Sequence, residues 1–193
     1  VTPLGTGVEK FWGTLSTGRC GIGQIEKFDT SDLSVHHAAE VRDFDAKASL
    51  SARLAMDMEP FQQYAYAAAM EALAMSGLEG GNRIGVVMGT ALAGLTQVES
   101  TARSGKAAAP KYLVRVMGNI AAARLAIEYG FSGPLLTLST ACSSGGDAVY
   151  MARMLIESGQ ADAVVVMAGE AAISTSMMQC LSRMGALCKT GES

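Results

Sequence analysis

Three short, largely apolar runs constrain this chain most: Ile84-Gly85-Val86-Val87-Met88, Leu135-Leu136-Thr137-Leu138 and Ala163-Val164-Val165-Val166-Met167. Each is too short for a membrane span or a stable isolated helix, and none alternates apolar with polar residues as a half-exposed strand would. They read as strands, the first and third of them buried. Helix-period segments separate them. Phe61, Tyr64, Ala65, Ala68, Ala69, Ala72 and Leu73 recur at three-and-four spacing, with Pro60 suited to the first helical turn and Gly77 to the stop. A second helix is expected from about Asn119 through Tyr129, stopped by Gly130, and a third from Ser144 to Ser158, stopped by Gly159. Helices alternating with continuous apolar strands imply an α/β fold, a mainly parallel sheet covered on both faces.

The region before Pro60 is less patterned. Glu9 to Leu15 spells a short helix with Phe11, Trp12 and Leu15 turned inward, and the remainder to about Ser49 reads as loop. No repeat, low-complexity tract or Pro-rich linker marks a boundary, so one domain is expected. The opening Val1-Thr2-Pro3-Leu4-Gly5 has neither an initiator Met nor a signal-peptide pattern, and Lys189 to Ser193 reads as a polar loop cut before its next element.

Composition removes several classes of function. Hydrophobic residues make up 49% of the 193 positions, enough for a sizeable core. Charged residues are only 17%, the formal net charge is −3, and no block of Lys or Arg occurs, so a nucleic-acid partner is not expected. No membrane helix is expected either. The four cysteines, Cys20, Cys142, Cys180 and Cys188, show no CxxC spacing and no attendant His, which suggests neither metal site, redox pair nor other cofactor. A reducing cytoplasm fits this usage.

One segment has the composition of a reactive turn. Ser139-Thr140-Ala141-Cys142-Ser143-Ser144-Gly145-Gly146 lies where the second strand gives way to the third helix. A nucleophile on a sharp strand-to-helix turn needs neighbours without bulk. There Cys142 would meet the unpaired amides and the macrodipole of a helix N-terminus, which favour thiolate and can hold the oxyanion of a thioester's tetrahedral intermediate. The residues alone leave open that Cys142 is a small core residue in a Gly/Ser-rich turn. Cys20, Cys180 and Cys188 read as buried small hydrophobes, since none follows a strand and opens a helix.

Thr140-Ala141-Cys142-Ser143-Ser144-Gly145 resembles the active-site motif of β-ketoacyl-acyl carrier protein synthases and polyketide ketosynthases. The resemblance runs through Thr2-Pro3-Leu4-Gly5, Phe28-Asp29-Thr30-Ser31, Val41-Arg42-Asp43-Phe44-Asp45, Phe61-Gln62-Gln63-Tyr64-Ala65, Met88-Gly89-Thr90 and Asn119 to Gly130, in family order. It implies a thiolase-like fold, with residues 1–193 as the N-terminal ketosynthase half of an αβαβα sandwich, truncated at both ends and lacking the C-terminal half. It implies decarboxylative Claisen condensation, with Cys142 as acyl acceptor and its backbone N–H on the oxyanion. Two histidines in the family's second half assist decarboxylation. The only two here, His36 and His37, fall in the early loop region and are expected to be structural or exposed.

Leu92 matches an acyl-pocket residue of the family, and Tyr112 an aromatic wall contributed across a dimer interface; ordinary core packing is the alternative for both. The partners implied are acyl carrier protein, bearing acyl and malonyl thioesters, and a second synthase chain in a homodimer or ketosynthase-like heterodimer. There are departures: Met56 and Asp57 stand where basic residues often grip the acidic carrier, Glu59-Pro60 replace an Asp and a basic residue, and Met167-Ala168-Gly169-Glu170 differs from Gly-Gly-Ala-Glu. A non-catalytic chain-length-determining subunit or isolated fold domain is the competing reading, disfavoured by the retained Cys142. A thiolase proper fits the motif less well.

Overall fold

The structure, a computed structural model, describes residues 1–190. The end of the polar loop expected over 189–193 therefore lies outside the described residues. The chain forms two compact units, one from residues 1–45 and 172–190, the other from residues 46–171.

The first unit opens with α1 (Val8–Leu15). A two-residue antiparallel ladder follows, β1 (Gly23–Gln24) paired with β2 (His37–Ala38). Its small core is Ile25, Leu33, Val35 and Met178, with Phe28, Ala38 and Leu187 packed around it. A buried carboxylate, Glu40, accepts from the amides of Glu26 (2.9 Å) and Lys27 (3.4 Å) and faces Arg42 (3.5 Å). The expected inward face of α1 is corrected here: Trp12 is 64% exposed and Leu15 42%, while Phe11 is only partly covered. The spacing forms the helix, but this unit's core is built from other elements and leaves Trp12 and Leu15 exposed.

The second unit begins with α2 (Ala46–Ser49) and α3 (Ala52–Asp57), the latter capped by Ser51, whose hydroxyl accepts from the Leu54 amide. Next comes α4 (Pro60–Ser76). It starts at a capping box between Glu59 and Gln62 with Pro60 in the first turn, and ends at Gly77, whose φ of 64° is the left-handed stop that glycine adopts freely. After β3 (Ile84–Gly89) the chain forms α5 (Leu95–Ser104), α6 (Tyr112–Val116) and α7 (Ile120–Tyr129). Then come β4 (Leu135–Leu138), α8 (Ser144–Glu157) and β5 (Ala163–Ala168). The first unit is completed by α9 (Thr175–Arg183).

The three long strands form the expected parallel sheet, in the order β4-β3-β5. β3 is central and every residue of it is buried. Alternation sorts its side chains. Val86 and Met88 join Val165 and Met167 on the face covered by α4 and α7, against Phe61, Ala65, Tyr66 and Leu125. Val87 joins Val164, Val166, Leu136 and Leu138 on the face covered by α8, against Ala148, Leu155 and Ala161. Each fully buried Val, Leu or Met contributes roughly 1.5–3 kcal/mol, so the sandwich is driven by these two apolar layers. The thiolase-like α/β fold holds. The helices α3, α5, α6 and α9 are not among those expected from the sequence; α5 and α6 bury no residue and so impose no apolar period.

Candidate active site

The register of the sheet decides where the chemistry collects. Gly89 stands opposite both Leu138 and Ala168, so the three strands end level with one another. The turns that follow, from Thr90, Ser139 and Gly169, therefore emerge together at the carboxyl edge, the side on which parallel α/β sheets bind ligands.

Cys142 lies in the turn between β4 and α8, immediately before the N-cap residue Ser143, and is exposed. Ala141 beside it has φ 54°, a left-handed conformation that costs a residue with a Cβ about 1 kcal/mol. Side chains hold it there. Ser144 Oγ accepts from the Thr140 amide (3.0 Å) and donates to the Ala141 carbonyl (2.6 Å). Asp147, one turn into α8, accepts from the hydroxyls of Thr140 and Ser143 on either side of the cysteine. The Thr140 hydrogen bond, with that of Ser143, holds the Asp147 carboxyl below its ordinary range. A depressed carboxylate keeps its bonds above the normal pKa and loses them only as pH falls through the lowered one, so the clasp is intact at neutral pH.

The amides of Ser143 and Ser144 close turn bonds to Thr140 (3.3 Å) and Ala141 (3.1 Å). They are thus spoken for, and this narrows the oxyanion donors expected of this helix start. The cysteines also need a correction. All four are exposed, so Cys20, Cys180 and Cys188 are not the buried hydrophobes expected of them. They sit in loops or on the outer side of α9, away from the small core. Their sulfurs contact Ile22 N, Met184 Sδ and Thr190 Oγ1 respectively.

Leu92 lies in the turn after β3 and is 37% exposed. That turn is joined to the Cys142 turn by the Ser139 hydroxyl, which donates to the Ala91 carbonyl (3.2 Å). Tyr112 opens α6 and is partly buried. It is tied to the Leu92 turn through the backbone, because the Gly94 amide donates to Val116 (3.1 Å) at the other end of α6. A side chain at Gly94 would put its Cβ 2.4 Å from the Val116 Cα, so only glycine permits this approach. Gln62, fully buried, fastens α6 to α4 by donating to the carbonyls of Val114 and Met117, both at 3.0 Å.

The whole of residues 1–193 matches the family model described as "Beta-ketoacyl synthase, N-terminal domain". The chain belongs to the β-ketoacyl synthase family. It is 35% identical over 181 residues to 3-oxoacyl-[acyl-carrier-protein] synthase 2 of Vibrio cholerae, covering 89% of this chain and 44% of that protein. It is 35% identical over 202 residues to a putative polyketide beta-ketoacyl synthase 1 of Streptomyces cyaneus, covering 96% of this chain and 48% of that protein. Among solved structures it is similar to the ishigamide ketosynthase/chain length factor, with TM-score 0.83 and 27% identity over 97% of this chain and 49% of that one. The chain thus spans about half the length of the relatives it matches.

Other features of this synthase domain emerge only in three dimensions. Asp57 is buried and surrounded by cations, Arg53 from its own helix and two from distant segments: Lys111 donates to it, and Arg53 and Arg124 lie 3.9 Å away. The Lys111 hydrogen bond holds its carboxyl below the usual range. Nearby Arg115 faces Glu59 at 3.8 Å and donates to the Met56 carbonyl. The acidic positions 57 and 59 therefore lie beneath a net cationic surface. His36 Nδ1 pairs with Thr30 Oγ1 (3.2 Å) and His37 lies in β2, which agrees with a structural reading of both. Among the described residues no helix is long and apolar enough to cross a membrane, and no group of three or more His, Cys, Asp or Glu could hold a metal ion.

Proposed function

We propose that this chain supplies the nucleophilic cysteine half of a β-ketoacyl synthase, acting in fatty acid or polyketide synthesis. Cys142 would take the acyl group from a carrier-protein thioester. Its Sγ attacks the thioester carbonyl, the tetrahedral intermediate collapses, and the carrier's thiol leaves with the proton that the cysteine gave up. A malonyl thioester would then lose carbon dioxide, and its carbanion would displace the acyl group from Cys142. The single observation that supports this most is an exposed cysteine, on a turn fixed by Asp147 and Ser144, at the level carboxyl ends of a parallel sheet.

Carbanion formation needs electrophilic groups to hold the developing enolate. His36 and His37, just before and at the start of β2, belong to the first unit and are not assigned that task. Acyl transfer is the step assigned to this chain, and the cationic surface of Arg53, Lys111, Arg115 and Arg124 is the side we assign to the acidic carrier. A reducing cytoplasm suits a reaction that depends on a free thiol.

The test is to incubate the 193-residue chain with acyl and malonyl thioesters and map adducts by peptide mass. Acyl groups are expected on Cys142 ahead of Cys20, Cys180 and Cys188, with no β-ketoacyl product. Since all four thiols are exposed, preference for Cys142 would reflect its environment and not its access. An unmodified Cys142 beside acylated Cys20 or Cys188 would favour a chain-length-determining subunit without chemistry.

A second synthase chain, identical or a heterodimeric partner, is proposed to pair on the open side of β5, which is an edge of the described sheet and carries Val164 and Val166. Such aliphatic edges invite pairing unless covered. Light scattering should give twice the 20.0 kDa chain mass; a monomer at every concentration would contradict the proposal.

A further inference from the structure

The turn that carries Leu92 is gripped from outside by one carboxylate. Glu170, two residues beyond β5, places Oε2 where it accepts from the Ala91 amide (2.9 Å), the Leu92 amide (3.0 Å) and the Thr90 hydroxyl (3.4 Å). Thr90 Oγ1 in turn accepts from the Ala93 amide (3.2 Å). Ala93 has φ 47°, the same left-handed strain that marks Ala141 beside the cysteine. Strain of this kind persists only where the surroundings over-determine the backbone. On the other side of the turn, Ser139 of the nucleophile turn holds the Ala91 carbonyl.

We propose that Glu170 is a positioning residue for acyl-chain selection: by fixing the Ala91 and Leu92 amides it sets how far the Leu92 side chain reaches into the acyl site. This rests on the reading of Cys142 and Leu92 above and deepens it. Solvent could satisfy two exposed amides without help, so the carboxylate's contribution is conformational. Charge-assisted bonds to two consecutive amides fix both peptide planes, and with them the direction of the Leu92 Cα–Cβ bond. The grip comes from a segment 78 residues away in sequence, so the pocket turn is coupled to the exit of β5 and not to its own neighbours. Leu92 meets substrate under this reading; Glu170 acts through Leu92.

The experiment uses the full natural protein carrying this domain, with Glu170→Ala, Glu170→Gln, Leu92→Ala and the parent compared. Acylation of Cys142 is followed with short, medium and long straight-chain acyl thioesters, alongside iodoacetamide alkylation of Cys142 and the thermal midpoint. Differences of one to a few methylenes in a pocket are read at roughly tenfold or more. E170A is expected to change the long-to-short rate ratio by about that factor, in the same sense as L92A. Iodoacetamide, which needs no acyl pocket, should react at the parent rate. E170Q retains a carbonyl oxygen that can accept from both amides, so it should restore most of the parent ratio. A parent-like ratio in E170A, with L92A shifted, would overturn the role of Glu170 and leave the reading of Leu92 intact. Parent-like ratios in both variants, with Cys142 still acylated, would overturn the pocket turn itself and the proposal with it. An E170A protein that loses alkylation and thermal stability in step with acylation, unrescued by E170Q, would show Glu170 to be only a structural tie. Failure of Cys142 to accept any acyl group in the parent would defeat the underlying reading first.

Discussion

Cys142→Ser is expected to cut acyl transfer from a thioester by roughly 10²–10⁴-fold, the range that a missing general base costs. A thiol reaches its nucleophilic form near neutral pH far more readily than a hydroxyl, so the cysteine can act where the serine needs a base to take its proton. Among the described residues no His lies in the second unit with Cys142; both histidines belong to the first. The substitution removes little else, because the turn is held by Ser144, Thr140, Ser143 and Asp147 and not by the sulfur. The thermal midpoint should therefore stay within a degree or two while adduct formation, followed by intact mass, collapses. Acylation of C142S at the parent rate would mean that another residue is the acceptor.

The second large effect is expected at a position with no reactive group. Gly89 ends β3 beneath the start of α8, and a Cβ there would lie 2.4 Å from the Ser144 carbonyl oxygen and 2.6 Å from its carbon. Both contacts are to backbone, so no side chain can rotate aside to make room. Gly89→Ala must push the strand end and the helix start apart, and overpacking of this kind costs roughly 1–3 kcal/mol. For a domain of this size that is a fall in Tm of several degrees. The displaced residue, Ser144, is the one that holds Ala141 and Thr140, so Cys142 acylation should fall by more than the loss of folded protein accounts for. Far-UV dichroism on heating and the acylation rate at a temperature where both proteins are folded would check the two parts separately. A variant unchanged in both would show that β3 and α8 are not as tightly seated as this contact implies.

What could be read without coordinates was whatever leaves a periodic or compositional mark. Val86, Val87 and Met88 announced a buried strand because an apolar run with no polar break has no stable place except between two covering layers, whereas Val164 to Met167 announced a strand that is buried only at Val165 and Met167. Gly77, Gly130 and Gly159 marked helix ends because a left-handed terminus excludes most other residues. Cys142 was visible through its small neighbours and through likeness to a known motif. The face of α1 was misjudged, since spacing reports an apolar stripe but not whether anything packs on it, and Trp12 is exposed.

The site itself depended on register. Nothing local in the sequence states that Gly89, Leu138 and Ala168 end level; strand pairing decides it, and only then do Leu92, Ser139, Cys142 and Glu170 share one edge. The partners of Glu170 and Asp57 could not have been named in advance, because a carboxylate's role depends on which amides or cations the fold brings to it, and Thr90 and Lys111 lie 80 and 54 residues away. Sequence determined the strands and the helix ends, fixed by local sterics and hydrophobic burial, and singled out Cys142 as the candidate nucleophile. Tertiary structure decided which turns meet and which charges face them, because those contacts exist only once the parallel sheet has brought distant segments within hydrogen-bond reach.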